Sequence, residues 1–203
     1  MARQAGLCVT SCERCPALVA SRTQIVNGTG PTDADLLFVG EGPGADEDRQ
    51  GEPFVGRSGE VLNAVLAEVG LSREAVRITN CVRCRPPDNR DPTTTELDNC
   101  REFLEAEIAN VDPVLVVGLG KTPSQHLLGR SVAVTSEAGD VERVDLGGRE
   151  RRVVICVHPA ASLYDPSQRE TLDSVISTVA AMVGVDPPGA DPDGQDQSRL
   201  SEF

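Results

Sequence analysis

Tryptophan is absent from the chain, tyrosine occurs once (Tyr164) and phenylalanine four times. A lone aromatic in a polar stretch, as at Phe54, therefore stands out. Lysine is nearly missing as well. Lys121 is the only one among 19 basic residues, which face 32 acidic ones for a net charge of −13. That balance argues against a generic nucleic-acid binder, which would be basic, although a local basic patch can still hold phosphates. Acidic surplus with little lysine suggests a halophilic origin, a cytoplasm where carboxylates keep the surface hydrated; the alternative is an ordinary acidic bacterial protein. No run of about eighteen apolar residues and no signal-peptide core is present, so a soluble, cytoplasmic protein without membrane contact is expected. Histidine occurs only at 126 and 158.

Against these shortages one segment is rich in glycine and acid: GEGPGADEDRQGEPFVGRSGEVL, residues 40–62, directly after the apolar run Asp35–Gly40. A strand followed by about twenty residues of loop before the next helix is unusual in a compact domain and is usually functional or disordered. Its glycines let the backbone approach a ligand closely. The loop also leaves the carboxyl end of a strand, where open α/β sheets place their ligands.

Further strand signals lie at Val76–Asn80, Pro113–Gly118 and Arg152–Val157, all short and aliphatic as buried parallel strands are. Helical patterns cover Ser58–Val69, Thr94–Ile108, Lys121–Leu128 and Pro166–Val183, with Thr94 or Thr95 as a cap for the second. Residues 131–150 read as a small hairpin excursion. The alternation predicts an α/β fold, a three-layer α/β/α sandwich around a four-stranded parallel sheet. One domain spans residues 1–183, and the Pro-, Gly- and Asp-rich tail 184–203 is expected to be disordered.

Seven cysteines, an odd number, argue against a disulfide framework in an intracellular chain. Cys12 and Cys15 form a CxxC pair of metal-binding type, and Cys84 and Cys100 follow 16 residues apart around RPPDNRDP. Four thiolates from two distant segments suit zinc or an iron–sulfur cluster, and spacing neither chooses between them nor excludes Cys8 or Cys81 as ligands.

The order CxxCPxLxxxRTQ (Cys12 to Gln24), GEGPGxxEDxxGxPFVGRSG (Gly40 to Gly59), TNCVRCRPPxNRxP (Thr79 to Pro92), Cys100 and HPAASLY (His158 to Tyr164) resembles the family 4 uracil-DNA glycosylases. These are the iron–sulfur members of the uracil-DNA glycosylase superfamily. The likeness runs from about Cys12 to Val183. It implies a structural [4Fe–4S] cluster on Cys12, Cys15, Cys84 and Cys100, leaving Cys8, Cys81 and Cys156 spare. It also implies uracil binding by Gly40, Glu41 and Gly42, and removal of uracil from single- or double-stranded DNA by a monomeric, monofunctional repair glycosylase.

The remaining residues fit that chemistry. A base must leave the duplex to be excised, and Phe54 offers a face on which it can stack, a contact of about 1–3 kcal/mol. Asn80, at the carboxyl end of the second strand, presents a donor beside an acceptor. Uracil shows N3–H next to O4 and cytosine the reverse, so a fixed amide accepts one and rejects the other. His158, after the last strand, can aim an N–H at O2 as negative charge grows on the leaving base.

Where other superfamily members carry a water-activating Asp, this chain has Gly42. Glu41, Asp46, Glu47 and Asn89 are the candidates for activating water instead. The third loop has no histidine for a covalent adduct, so turnover is expected. After His158, PAASLYDP would enter the DNA stack with Leu163 or Tyr164 as wedge. Arg57, Arg83, Arg85 and Arg90 are candidate phosphate contacts.

Two other readings compete. A zinc- or cluster-stabilised nucleic-acid-binding module without catalysis would keep the cysteines but has no use for Phe54, Asn80 and His158 at one sheet edge. A nucleotide-binding protein would need a helix straight after the glycines, and GxxxxGK[ST] is missing. At the very end, Gln197, Leu200 and Phe203 have the spacing of a peptide that docks on a PCNA-type sliding clamp, a possible partner.

Overall fold

The computed structural model describes residues 8–185. Tail residues 186–203, including the clamp-type spacing of Gln197, Leu200 and Phe203, lie outside the described residues.

Strands β1 (Leu36–Gly40), β2 (Arg77–Asn80), β3 (Leu115–Leu119), β4 (Val141–Leu146) and β5 (Arg149–Cys156) form one sheet in the order β2-β1-β3-β5-β4. The first three and β5 are parallel, as the aliphatic runs predict. The fifth strand corrects the expected count of four. The hairpin excursion does not stand apart from the sheet, because Gly147 and Gly148, both with positive φ, turn β4 back to pair antiparallel along β5. Its exposed, charged outer face matches an edge position.

All five residues of β1 are buried, because helices cover both faces of the sheet. Successive side chains serve opposite cores. Leu36 and Phe38 pack with Leu62, Val65 and Leu66 of α3 (Arg57–Glu68) and with Leu172, Ile176 and Val179 of α6 (Pro166–Met182). Leu37 and Val39 pack with Leu104, Ile108 and Val111 of α4 (Thr94–Val111) and with Leu127 of α5 (Lys121–Leu128). The cap of α4 is Thr93, one residue before the expected pair. Its hydroxyl accepts from the Glu96 N–H while the Glu96 carboxylate accepts from the Thr93 N–H, 3.3 and 2.8 Å. Only Thr93 stands three residues ahead of a glutamate that can reciprocate.

The long loop after β1 is not featureless. It holds a short helix, Ala45–Gln50, whose buried Asp48 accepts from the backbone N–H groups of Thr23 and Gln24. The Gln24 amide donates back to the Asp48 and Arg49 carbonyls. The N-terminal segment is thus fastened to the loop.

Arg83 is no phosphate contact. It is 2% exposed and donates to Glu107, Asn27 and the Phe103 carbonyl. Glu107, fully buried, also accepts from Arg77 and Thr79, each at 2.8 Å. Removing one partner from such a network leaves an uncompensated buried charge.

Candidate active site

The register sets Gly40 beside Asn80 and Leu119 beside Cys156, so four strands end at one edge. Pairing continues past the ends. Cys81 N–H donates to the Gly40 carbonyl, Val82 N–H to that of Glu41, and Gly120 N–H to that of Cys156. These bonds bring Glu41, Asn80 and His158 to the same rim.

A Cβ at Gly40 would stand 2.3 Å from Asn80 Oδ1 and 2.5 Å from Phe54 Cε2. Glycine there lets the amide and the ring close over the strand end. Asn80 is 4% exposed, and among the described residues no hydrogen bond ties its amide. Phe54 is buried with its backbone in the left-handed region, φ 53°. Its ring lies 5.8 Å from that of His158.

His158 caps the single turn Pro159–Leu163, its Nδ1 accepting from the Ala160 N–H at 3.1 Å. In the neutral ring the proton therefore sits on Nε2. Burial keeps the ring neutral, pulling its pKa from 6.5 to about 4.

These groups border a cavity of about 200 Å³, together with Glu41, Gly42, Gly44, Glu47 and Ser58. A neighbouring cavity of about 320 Å³ shares Glu41 and His158 and adds Asp91, Gly120, Lys121 and Thr122. Glu41 thus touches both spaces. Burial raises its pKa, the nearby Asp91 adds to this, and a hydrogen bond from Thr122 opposes it. Glu47 has a structural duty as well, accepting from the Gly44 N–H at 2.9 Å. A side chain at Gly42 would crowd Val82, since a Cβ there would come within 2.7 Å of its Cγ2 and the valine would have to shift.

Other expected residues stand elsewhere. Asn89 is exposed, accepts from Arg85 at 2.8 Å and borders neither cavity. Asp46 pairs with Arg49 at the surface. Arg90 is engaged by Glu96, whereas Arg57 is exposed. In the segment after His158, Leu163 is half-buried and Tyr164 is 81% exposed.

Among the described residues no three His, Cys, Asp or Glu side chains form a group that could hold a metal ion. The four cysteines nevertheless converge. Cys15 and Cys100 pack against Cys84, Leu18 and Val82. Burial raises the Cys84 thiol, with Cys12 and Cys15 adding to the effect, and raises Cys100 to about 11, with Cys84 and Cys12 adding. Arg22 donates to Cys84 Sγ at 3.0 Å and to the Cys12 carbonyl. Cys81 and Cys156 are sealed in the core, and Cys8 is exposed.

Sequence reasoning missed Arg73, whose guanidinium donates to the carbonyls of Pro53 and Phe54. It also missed Ser58 and Thr122. No local pattern in LSREAV, GRSGE or GKTPS marks them; the partners of Arg73 and Thr122 lie on other elements, and Ser58 enters only through the cavity it borders.

The sequence is similar to those of known proteins. A family model described as the uracil DNA glycosylase superfamily matches residues 27–180. The type-4 uracil-DNA glycosylase of Archaeoglobus fulgidus is 38% identical over 180 residues, covering 87% of this chain and 90% of that protein. The type-4 enzyme of Thermotoga maritima is 43% identical over 161 residues, 78% and 81% of the two chains. A type-5 uracil-DNA glycosylase of Thermus thermophilus is 34% identical over 151 residues, 59% and 68%. With its mostly parallel sheet, its rim of Asn80, Phe54 and His158, and this likeness along most of its length, the chain belongs to the uracil-DNA glycosylase superfamily, in the type-4 branch.

Proposed function

We propose that the protein removes uracil from DNA by hydrolysing its N-glycosidic bond, leaving an abasic site for repair. The observation that carries this is the cavity where a neutral His158, protonated on Nε2, meets the untied amide of Asn80 and the ring of Phe54.

A uracil flipped from the stack lies on Phe54. The Asn80 amide accepts from N3–H and donates to O4, and cytosine, with these groups reversed, is refused. As the bond from N1 to the sugar breaks, its electron pair moves into the ring. His158 Nε2–H then holds the negative O2, a bond stronger in the transition state than before it. Water adds to the sugar carbon, and its proton goes to Glu41. That carboxylate borders both cavities, and burial raises its affinity for a proton. Of the two wedge candidates Tyr164 is far more exposed than the half-buried Leu163, which favours it.

Cys12, Cys15, Cys84 and Cys100 would hold a [4Fe–4S] cluster. Cys15, Cys84 and Cys100 pack in one apolar cluster with Cys12 near enough to act on Cys84 and Cys100, which supports this, and a polynuclear cluster sets its thiolates farther apart than a single ion does. The cluster would be structural, joining the N-terminal segment to the loop after β2 and to α4. The clamp-type spacing at Gln197, Leu200 and Phe203 remains a proposed contact, to be read from whether Leu200→Ala/Phe203→Ala abolishes binding to the host clamp.

The test is release of uracil from labelled single-stranded DNA. The intact chain should release it, and His158→Ala should do so far more slowly. Release of no base by the intact, cluster-loaded protein would leave the non-catalytic binding module as the better account.

A further inference from the structure

Arg73 borders neither cavity beside His158 and lies 19 residues from Phe54, on the single turn Arg73–Ala75 that precedes β2. Its planar guanidinium donates to two consecutive carbonyls, Phe54 at 2.9 Å and Pro53. A planar fork presents one N–H to each in a fixed geometry, which the point charge of an ammonium lacks. These partners are neutral, although Glu52, Glu74 and Glu47 are close enough to act on its charge. Half-burying a cation against carbonyls, with acids nearby, calls for a reason.

The backbone of Phe54 supplies one. A bulky aromatic residue with φ 53° is a genuine outlier, a conformation that Asn or Asp tolerates far better. Such a conformation persists only where its surroundings over-determine it. From one side α3 presses so closely that a Cβ at Gly59 would sit 1.8 Å from the Phe54 carbonyl oxygen. Gly40 leaves space under the ring. Core packing holds the ring itself, and Arg73 restrains the backbone that carries it by donating to the Phe54 and Pro53 carbonyls. Without Arg73 the peptide units around Phe54 can turn, and the ring leaves its place beside His158.

We propose that Arg73 is a positioning residue for base excision, holding the Pro53 and Phe54 carbonyls so that the Phe54 ring stays fixed as the platform for the flipped base. The inference rests on the glycosylase reading and on stacking by Phe54. Arg73 touches no reacting atom and acts through Phe54 alone.

The experiment is a double-mutant cycle read by single-turnover uracil release, with Arg73→Ala, Phe54→Ala and the pair. Arg73→Lys serves as a gentler variant. All are assayed at a temperature where circular dichroism shows them folded. Misplacing a reactive group by about an ångström costs up to roughly a hundredfold in rate, so Arg73→Ala should lose about ten- to a hundredfold while its affinity for DNA is unchanged. Arg73→Lys should fall between it and the parent. In the Phe54→Ala background, Arg73→Ala should cost nothing more. A loss of equal size in both backgrounds, or full activity of Arg73→Ala, would overturn the proposal and leave the glycosylase reading intact. Unchanged release by Phe54→Ala alone would overturn the platform and the role of Arg73 together. No release by the parent protein would mark failure of the glycosylase reading itself.

Discussion

The His158 ring is held neutral by two features of its surroundings. The Ala160 N–H occupies Nδ1, and burial brings the pKa to about 4. His158→Ala should slow single-turnover excision by roughly two to three decades, the loss typical of one donor on a developing oxyanion. The same shift has a sign in stability. The unfolded ring takes its proton near 6.5 and the folded ring near 4, so the contribution of His158 is complete above pH 6.5 and disappears as pH falls from 6.5 to 4. Chemical denaturation of His158→Ala across that range should show a shallower dependence on pH than the parent; identical slopes would mean that the ring is not kept neutral. Asn80→Asp keeps an acceptor but loses the donor to O4. It should weaken uracil release by about ten- to a hundredfold, the cost of one unmet buried hydrogen bond, and open the site to cytosine; unchanged uracil release would remove Asn80 from base reading. At Gly42 the obstacle is Val82, so Gly42→Asp should lower excision, and adding Val82→Ala should recover part of the loss.

At the level of elements, much was legible because it is local. Aliphatic runs gave β1, β2, β3 and β5, and Lys121–Leu128 is a helix with the expected bounds. Asn80 ends β2, His158 follows β5 and Phe54 lies in the loop after β1, and the parallel strands carry all three to one rim. What escaped depends on partners distant in sequence. Strand β4 is the exception, since it pairs with its neighbour β5 across the two-glycine turn, whereas Arg83 faces inward because Glu107 of α4 accepts from it. Arg73 finds its carbonyls only once α3 and β2 are packed. The α4 cap offers a test at this scale. The Arg90 hydrogen bond draws Glu96 from 4.5 to about 2, so the cap contributes fully above pH 4.5 and its contribution is lost as pH falls through 2. Arg90→Ala should therefore move the midpoint of acid unfolding to higher pH, as followed by circular dichroism. The cysteine pocket offers another. Cys84→Ala should lose iron and melt earlier, because cluster binding is coupled to folding, whereas Cys156→Ser should keep its iron; the reverse pattern in iron analysis would change the ligand set.

For the whole molecule the net charge of −13 dominates solution behaviour. Self-repulsion weakens when salt screens it, so thermal melting should rise in molar KCl relative to dilute buffer. A melting temperature insensitive to salt would remove the halophilic reading and leave the chemistry untouched. Arg57 and Tyr164, the DNA contacts proposed on this acidic body, are both exposed. No helix of the described residues is long and apolar enough to cross a membrane. The central claim is that one rim both selects uracil and breaks its bond. It is tested most directly by single-turnover release from matched oligonucleotides carrying one uracil or one cytosine, with the parent protein and His158→Ala at saturating enzyme. The account predicts fast release of uracil, none of cytosine, and a fall of roughly two to three decades in His158→Ala with DNA binding retained. Uracil release at the parent rate by His158→Ala would contradict it.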